Sequence, residues 1–264
     1  MKTTFSRRLQ SVRIIGFCFF LLGFFSCKKE KNNDPDTYYG VQTQMGNGTA
    51  RSYFTVAKDG TPLTLGVEIT DNAFTNLPTD PLNFAASTFQ LSIDQRAKGL
   101  TPYDRLEMEW NVNGHEPVGI YNVPHFDFHF YEMTVAEQQA IPPYQVDSSK
   151  FNILPPASYI PAGYIRSPGG VPQMGVHWVD VTSPEFNGQP FAYTMIYGSY
   201  NGKVVFLEPM ITLAYLKSNG TFEKEIRQPA QYSPTNKWYP TSYSVYINAS
   251  NKNHYVELKN FVKR

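Results

Sequence analysis

The sequence predicts a mainly β protein, either an antiparallel β-sandwich or a barrel-like fold, with one or two short helices. Short runs of alternating apolar and polar residues recur along the chain, which is typical of strands with one buried face. The 20 prolines and 18 glycines provide frequent turns and disfavour long helices. At 264 residues and 41% hydrophobic composition, the chain is long enough to bury a sizeable core.

Residues 1–27 are predicted to be a lipoprotein export signal rather than part of this fold. Four basic side chains precede the apolar run IIGFCFFLLGFFS, which is too short for a comfortable membrane span. The run ends at Cys27, as in the lipobox of bacterial lipoproteins, so we expect Cys27 to be the lipid-attachment residue. A generic secretory signal with a chance cysteine and an uncleaved anchor are the alternatives.

Processing at Cys27 would leave a flexible tether over residues 28–37 and a β-rich domain over residues 38–264. The pattern leaves open whether that domain is one body or two packed β-subdomains. We expect the protein to lie in the bacterial cell envelope, anchored by its lipid to the outer membrane and facing the periplasm or the cell surface.

Cysteine and charge counts exclude two classes of function. The only other cysteine, Cys18, lies in the segment that would be removed, so the mature chain has no thiol for catalysis or for a zinc site. Loss of four basic side chains would change the formal net charge from +1 to about −3. Nucleic acid is therefore not an expected partner, because its binding requires a basic face.

The first half of the domain contains several predicted elements. RSYFTVAKDGTPLTLGVEIT predicts a hairpin that turns at Asp59 and Gly60, and FAASTFQLSI and RLEMEWNV predict two further strands. TVAE at residues 134–137 predicts a capping box, with Thr134 as the N-cap and Glu137 reaching back to it. This box would open a short helix that the two prolines at 142 and 143 end.

In the second half, residues 152–175 are rich in proline and glycine and predict a long loop. Three strands are then predicted over GVHWVDV, FAYTMIYGSY and KVVFLEPMITLAYL, with YNGK as a tight turn between the last two. SYSVYINASNKNHYVEL predicts a closing hairpin.

The stretch HFDFHFYEM at residues 125–133 combines a strand pattern with side chains that bind metals. Alternation predicts one face with Phe126, Phe128 and Phe130, and an opposite face with His125, Asp127, His129 and Tyr131. The phenylalanine face must be core. Residues four apart on a strand are roughly 13 Å apart, at about 3.3 Å per residue. His125 and His129 therefore cannot hold one ion alone unless a bulge bends the strand, and further ligands must come from elsewhere.

Two residues of later strands are the best candidates for those ligands. His177 shares a strand face with valines, and Glu208 shares one with Phe206 and Met210, where a carboxylate is costly to bury unless it is paired or bound to a metal. The predicted ligands of a divalent zinc, iron or manganese ion are His125, His129, His177 and Glu208. Asp127 and Glu208 are the predicted catalytic carboxylates.

Four neighbouring residues are predicted to orient these ligands or to replace one of them: His115, Glu116, Tyr131 and Asp180. Structural interpretations remain open for several of these positions. His177 could be a hydrogen-bonded core histidine, Glu208 could pair with Arg166, and Asp180 could cap the TSPE turn that follows it.

The sequence resembles an uncharacterised family of exported, β-rich bacterial proteins, one of which is a Thermus protein under extracytoplasmic sigma-factor control. The blocks that carry the resemblance are GHEPVGIYNVPHFDFHFY, GVPQMGVHWVD and YGSYNGKVVFLEPMIT, within roughly residues 38–216. The resemblance implies a β-rich domain and an envelope location, but the family has no established activity to transfer.

These observations favour a lipid-anchored envelope protein that acts as a metal-dependent hydrolase or lyase on a small molecule. The alternative is a non-catalytic envelope lipoprotein that binds a ligand or forms a homo-oligomer, with a buried His–Asp–Glu network as a structural element. Binding of a glycan through tyrosine and tryptophan side chains of the C-terminal part is a third hypothesis.

Overall fold

The protein is described by a computed structural model that covers residues 1–4, 34–218 and 220–264. The chain divides into two compact units, residues 1–32 and residues 33–264. Cys27, almost all of the predicted export signal and most of the predicted tether lie outside the described residues. No helix among the described residues combines the length and the apolar character that a membrane crossing needs.

The described chain is mainly β, with 39% strand and 13% helix, which confirms the predicted fold class. Its strands are β1 (Asp36–Tyr39), β2 (Thr43–Met45), β3 (Gly48–Val56), β4 (Pro62–Ile69), β5 (Thr88–Ser92), β6 (Arg105–Asn111), β7 (His125–Tyr131), β8 (Tyr164–Arg166), β9 (Val176–Asp180), β10 (Tyr193–Tyr200), β11 (Lys203–Thr212), β12 (Phe222–Glu225), β13 (Trp238–Tyr239), β14 (Ser242–Ile247), β15 (His254–Lys259) and β16 (Val262–Lys263).

The described α-helices are four, and each has at most six residues: α1 (Phe84–Ser87), α2 (Gln95–Leu100), α3 (Val135–Gln139) and α4 (Leu213–Lys217). Three 3-10 helices make up the other described helical residues: Asp71–Phe74, Ala157–Tyr159 and Pro184–Asn187. Two of the α-helices correct the sequence prediction, because α1 occupies the start of the strand predicted over FAASTFQLSI and α4 occupies the end of the one predicted over KVVFLEPMITLAYL. In both cases a capping side chain begins the helical turn, Asn83 for α1 and Thr212 for α4.

Two seven-stranded antiparallel sheets form a sandwich. The first sheet has the order β1-β3-β4-β15-β14-β12, with β2 beside β3, and the second has the order β5-β6-β7-β11-β10-β9-β8. The predicted hairpins β3–β4, β10–β11 and β14–β15 all form. The turn between β10 and β11 has left-handed backbone at both Asn201 and Gly202, as a two-residue hairpin turn requires.

The main core lies between the two sheets. Phe126, Phe128 and Phe130 of β7 point into it and are fully buried, together with Leu65 and Val256 of the first sheet. The alternation predicted for HFDFHFYEM is therefore present. This core fixes the position of β7 near the middle of the second sheet, between β6 and β11.

A second, smaller core covers the outer face of the second sheet. Phe206 and Met210 of β11 contribute to it, and side chains from three loops complete it, namely Tyr121, Phe151 and Phe191. The long connections that follow β6, α3 and β9 thus cover the face that would otherwise meet solvent. Any polar side chain on that face is consequently removed from water, which is costly unless it finds a partner.

Candidate metal centre

The polar face of β7 lies under this second core. His125, Asp127 and His129 are all buried, although a strand with one apolar face usually presents the other face to solvent. Asp127 pairs with Glu109 of β6 on one side and with Met210 of β11 on the other. The result is a polar strip, enclosed between the second sheet and its loops.

His129, His177 and Glu208 form the first group of ligand-type atoms on this strip, and one such atom of each lies within 4.8 Å of those of the other two. The Nε2 atom of His129 is 3.5 Å from Oε1 of Glu208, and the Nε2 atom of His177 is 3.6 Å from Oε2. Ligands about 2.0–2.2 Å from a tetrahedral zinc ion stand roughly 3.3–3.6 Å apart. The three side chains thus have the spacing of ligands around one ion and are too far apart for good hydrogen bonds.

The strand order explains how three distant residues meet. Glu208 lies on β11, beside β7, and His177 lies on β9, two strands farther along the sheet. Between them on β10 is Gly198, which pairs with His177 on one side and with Phe206 on the other. Because Gly198 has no side chain, the Phe206 ring lies over it and contacts both imidazoles, with ring centroids 5.0 Å from His129 and 5.3 Å from His177.

Several polar atoms of this group have no hydrogen-bond partner. Both ring nitrogens of His129 and the Oε2 atom of Glu208 are buried and unpaired among the described residues. An unpaired buried polar group lowers the free energy of unfolding by about 1–3 kcal/mol, so such atoms indicate a site where a ligand binds. A divalent cation would satisfy the donor set of two imidazoles and a carboxylate, which suits zinc, iron(II) or manganese.

His115, His125 and Asp127 form a second group of the same kind. The Nε2 atom of His125 is 3.1 Å from Oδ1 of Asp127, and the Nε2 atom of His115 is 3.3 Å from Oδ2. Asn111 on β6 donates a 2.8 Å hydrogen bond from Nδ2 to Oδ2 of Asp127. The structure thus divides the four predicted ligands, with His125 in this group and the other three residues in the first.

Four residues of β6 were missed by the sequence analysis. Arg105, Glu107, Glu109 and Asn111 alternate with the core residues Leu106, Met108 and Trp110, so the pattern RLEMEWN already contained the signal of a polar face. Glu107 is held by Arg105 at 3.0 Å, by Gln138 at 3.1 Å and by Gln90, which leaves its oxygens occupied. Glu107 therefore belongs to a structural network.

Burial sets the protonation of the first group. It raises the pKa of Glu208 well above its ordinary value, and the charges of Asp127 and Glu109 raise it further. Burial also lowers the pKa of His129, and it lowers that of His177 to about 3 with help from the neighbouring imidazoles. Near neutral pH, both imidazoles are therefore neutral ligands, and a bound cation would displace the proton of Glu208.

The remaining carboxylates of the strip behave in opposite ways. Burial and the charges of Asp127 and Glu107 raise the pKa of Glu109 well above its ordinary value. Burial alone would raise the pKa of Asp127 too, but the adjacent His125 and His115 outweigh it, and the net shift is downward. The surroundings thus favour the ionised form of Asp127 and the protonated form of Glu109.

Three predicted neighbours occupy distinct places. Tyr131 lies beside the first group, with its ring stacked on that of His129 at 5.2 Å between centroids. The carbonyl oxygen of Glu116 is 2.7 Å from Nδ1 of His115 and so orients that ring. The prediction that Asp180 orients a ligand is corrected. Asp180 accepts a hydrogen bond from the backbone N–H of Thr182 and pairs with Arg227 at 2.9 Å, so it stabilises a turn rather than the site.

Arg166, the alternative partner predicted for Glu208, does not pair with it, because Arg166 donates a 2.8 Å hydrogen bond to Asn152 instead.

A cavity of about 690 Å³ lies elsewhere, lined by Glu132 and by tyrosines including Tyr103 and Tyr239, and contains none of the ligand-type residues of the two groups. The ligand spacing, rather than open volume, locates the candidate centre.

Comparison with known proteins adds no relative to this picture, since no protein-family model, no curated protein and no solved structure matches the chain. The resemblance described for the sequence blocks therefore stays a prediction.

Proposed function

We propose that this chain is a lipid-anchored protein of the cell envelope that holds a divalent transition-metal ion at His129, His177 and Glu208 and hydrolyses a small molecule there. The observation that carries the proposal is the spacing of 3.5 and 3.6 Å between two imidazole nitrogens and the two oxygens of one carboxylate. Of these atoms, Nε2 of His129 and Oε2 of Glu208 are buried without a hydrogen-bond partner among the described residues. The anchor rests on the sequence around Cys27 alone.

The charge of the strip supports a cation. Arg105 pairs with Glu107 at 3.0 Å and also acts electrostatically on Glu109, whereas Asp127 and Glu208 form no ion pair with a lysine or arginine among the described residues. Buried carboxylates that lack a counter-charge either keep their protons or bind a metal. Two neutral imidazoles and one carboxylate leave part of the charge of a divalent ion uncompensated, which favours a water or a substrate oxygen as a further ligand.

A bound divalent ion supplies a water of lowered pKa and polarises a substrate oxygen. The side chains around the ion provide proton exchange and electrostatic stabilisation. Burial raises the pKa of Glu109 well above its ordinary value, and Glu109 lies opposite Asp127 on the neighbouring strand, so we assign it the exchange of a proton with a bound molecule. Asp127, one of the two carboxylates that the sequence predicts as catalytic, has a lowered pKa and accepts a hydrogen bond from Asn111, so we assign it an electrostatic role toward the ion at Glu208.

Access is possible on one side only. The side chain of His177 is 18% exposed, whereas those of His129 and Glu208 are almost fully buried. The burial of His129 and Glu208 also supports a second candidate function. Structural metal sites are closed, whereas catalytic ones keep an open position. In that case the ion stabilises the non-catalytic envelope protein considered from the sequence.

The test uses the full chain, purified without a histidine tag, stripped by a chelator and then supplied with zinc, iron(II) or manganese. The proposal predicts that one of these ions restores hydrolysis within a panel of small esters, amides and phosphoesters. It also predicts that His177→Ala abolishes hydrolysis, whereas His254→Gln, a change in the first sheet, does not. Metal retention without hydrolysis of any panel member would favour the structural role, and a chain that retains no metal would contradict both.

A further inference from the structure

We infer that the protein binds a second divalent transition-metal ion, held by Nε2 of His115, Nε2 of His125 and the carboxylate of Asp127, beside the ion at His129, His177 and Glu208. The inference deepens the proposed function and rests on it for the neighbouring ion, but its ligands are a separate set of residues. The chemical class is a cation that accepts two imidazoles and one carboxylate, with zinc as the reference case.

The orientation of the two imidazoles is the first argument. The Nδ1 atom of His125 is 2.7 Å from the carbonyl oxygen of Val123, and the Nδ1 atom of His115 is 2.7 Å from that of Glu116. A carbonyl only accepts hydrogen bonds, so each Nδ1 carries the proton and donates it. Nε2 is then the nitrogen of each ring that remains for a metal, which is the arrangement that metal-binding histidines commonly have.

The second argument is that the two Nε2 atoms converge on one carboxylate. Nε2 of His125 is 3.1 Å from Oδ1 of Asp127, and Nε2 of His115 is 3.3 Å from Oδ2. One ligand-type atom of each residue lies within 4.8 Å of those of the other two. These separations approach those of ligands around one ion.

A proton shared with Asp127 is the competing explanation, and the geometry at His125 argues against it. Nε2 of His125 and Oδ1 of Asp127 are only 3.1 Å apart, yet they are not aligned for an N–H···O bond, and both atoms are buried without any other partner. A hydrogen bond depends on direction, whereas a metal ion positioned off the line between the two atoms can contact both.

The surroundings hold the three ligands in place. The ring centroids of His115 and His125 are 4.7 Å apart in an edge-to-face arrangement, and Phe191 packs on the far side of His125 at 5.4 Å. Asn111 fixes Asp127 through a 2.8 Å hydrogen bond to Oδ2. Packed rings and a bonded carboxylate reduce the ordering that binding of the ion requires.

The site also has an entrance. The side chain of His115 is 39% exposed and comes from the loop after β6, while His125 and Asp127 are buried. The ion would therefore enter beside His115 and retain positions for water. Asp127 and His129 are two residues apart on β7, or roughly 6.6 Å at about 3.3 Å per residue, so the two ions would be neighbours with separate ligands.

Counting bound zinc in four forms of the full chain tests the inference. The forms are the natural sequence, His115→Ala, His177→Ala and the matched control His254→Gln, each stripped by a chelator, titrated calorimetrically with Zn²⁺ alone and analysed for zinc after desalting. We expect two equivalents for the natural sequence and for His254→Gln. We expect one equivalent for His115→Ala and one for His177→Ala. His115 is in an exposed loop, so its removal leaves the core intact, and circular dichroism checks the fold of each form.

The outcomes separate the two metal sites. If the natural sequence binds one equivalent that His177→Ala loses and His115→Ala keeps, the inference is wrong and the first site stands. If the single equivalent is lost in His115→Ala and kept in His177→Ala, the second site exists and the proposed function loses its ion. Two equivalents that both variants retain would place the zinc elsewhere and overturn both.

Discussion

Oε2 of Glu208 lies 3.6 Å from Nε2 of His177, although their strands are separated by β10. The contact passes over Gly198, the residue of β10 that pairs with His177 and with Phe206. A side chain at that position would fill the space that the Phe206 ring now occupies. Gly198 also adjoins a register shift in the β10–β11 pair, and its lack of a side chain leaves the space for the Phe206 ring at the candidate metal centre.

Replacement of Gly198 by alanine tests that role. A Cβ atom there would meet carbons of the Phe206 ring far inside contact distance, so the ring must move away from His129 and His177. We expect a loss of about 1–3 kcal/mol in the free energy of unfolding, measured by urea denaturation, and weaker zinc binding in calorimetry. Gly99→Ala is the matched control, because nothing lies within 4 Å of a Cβ there, and it should leave zinc binding unchanged. Equal zinc affinity in both variants would contradict a role of Gly198 in shaping the metal centre.

The phenylalanine face of β7 provides a prediction about stability. Phe128 is fully buried between the two sheets, and its replacement by alanine should lower the free energy of unfolding by about 3–5 kcal/mol. Phe84 is 69% exposed in α1, and Phe84→Ala should change it by less than about 0.5 kcal/mol. Chemical denaturation of both variants checks the difference. Similar losses in the two would mean that β7 does not lie at the centre of the sandwich.

Glu132 provides a prediction about pH. Burial raises the pKa of this carboxyl to about 8, against an ordinary value of 4.5. The folded state therefore holds the proton more tightly than the unfolded state, and the corresponding stability is present below pH 4.5 and is lost as the pH rises to about 8.

Replacement of Glu132 by glutamine removes this titration. The difference in unfolding free energy between Glu132→Gln and the natural sequence should grow in favour of the variant from pH 5 to pH 8, by up to a few kcal/mol, which partial solvent contact reduces. Thermal melts across this pH range, with chelator present, provide the measurement. A constant difference would show that Glu132 titrates as an ordinary exposed carboxyl.

A bound ion should also stabilise the fold. Zinc at 100 times its dissociation constant would raise the free energy of unfolding by about 2.7 kcal/mol, if it binds the folded state only. We expect the melting temperature to rise on zinc addition and to fall with a chelator. His129→Ala should lose the part of this response that comes from the ion at His129, His177 and Glu208. An identical melting temperature with zinc and with chelator would contradict a metal centre in either group.

The sequence could predict which side chains share a face of a strand, but not which strands lie side by side in the sheet. Alternation within HFDFHFYEM determined which side chains point to the core, because the period of a strand is two residues. The position of β7 between β6 and β11 depends on pairing between distant segments, and no local pattern encodes it. For that reason Glu208 and His177 were found as unusual polar residues, but their contact could not be derived.

The division of the histidines shows the same limit. The sequence predicts one ion with both His125 and His129 among its ligands, although residues four apart on a strand stand roughly 13 Å apart, and the structure places His125 in the other group. The partner of His125 is His115, from a loop whose position depends on Tyr121 packing against Phe191 at 4.9 Å. Glu109 was missed, although RLEMEWN has the alternation of a strand with a polar face, because alternation alone does not distinguish a solvent-facing carboxylate from one that loops cover.

The most direct measurement of the central claim is anomalous X-ray diffraction at the zinc absorption edge, from crystals of the full chain grown with Zn²⁺ and without a histidine tag. We predict a peak about 2.0–2.2 Å from Nε2 of His129, Nε2 of His177 and a carboxylate oxygen of Glu208. Crystals that show no anomalous peak among these three side chains, under conditions in which zinc is in excess, would contradict the metal centre on which the proposed function rests.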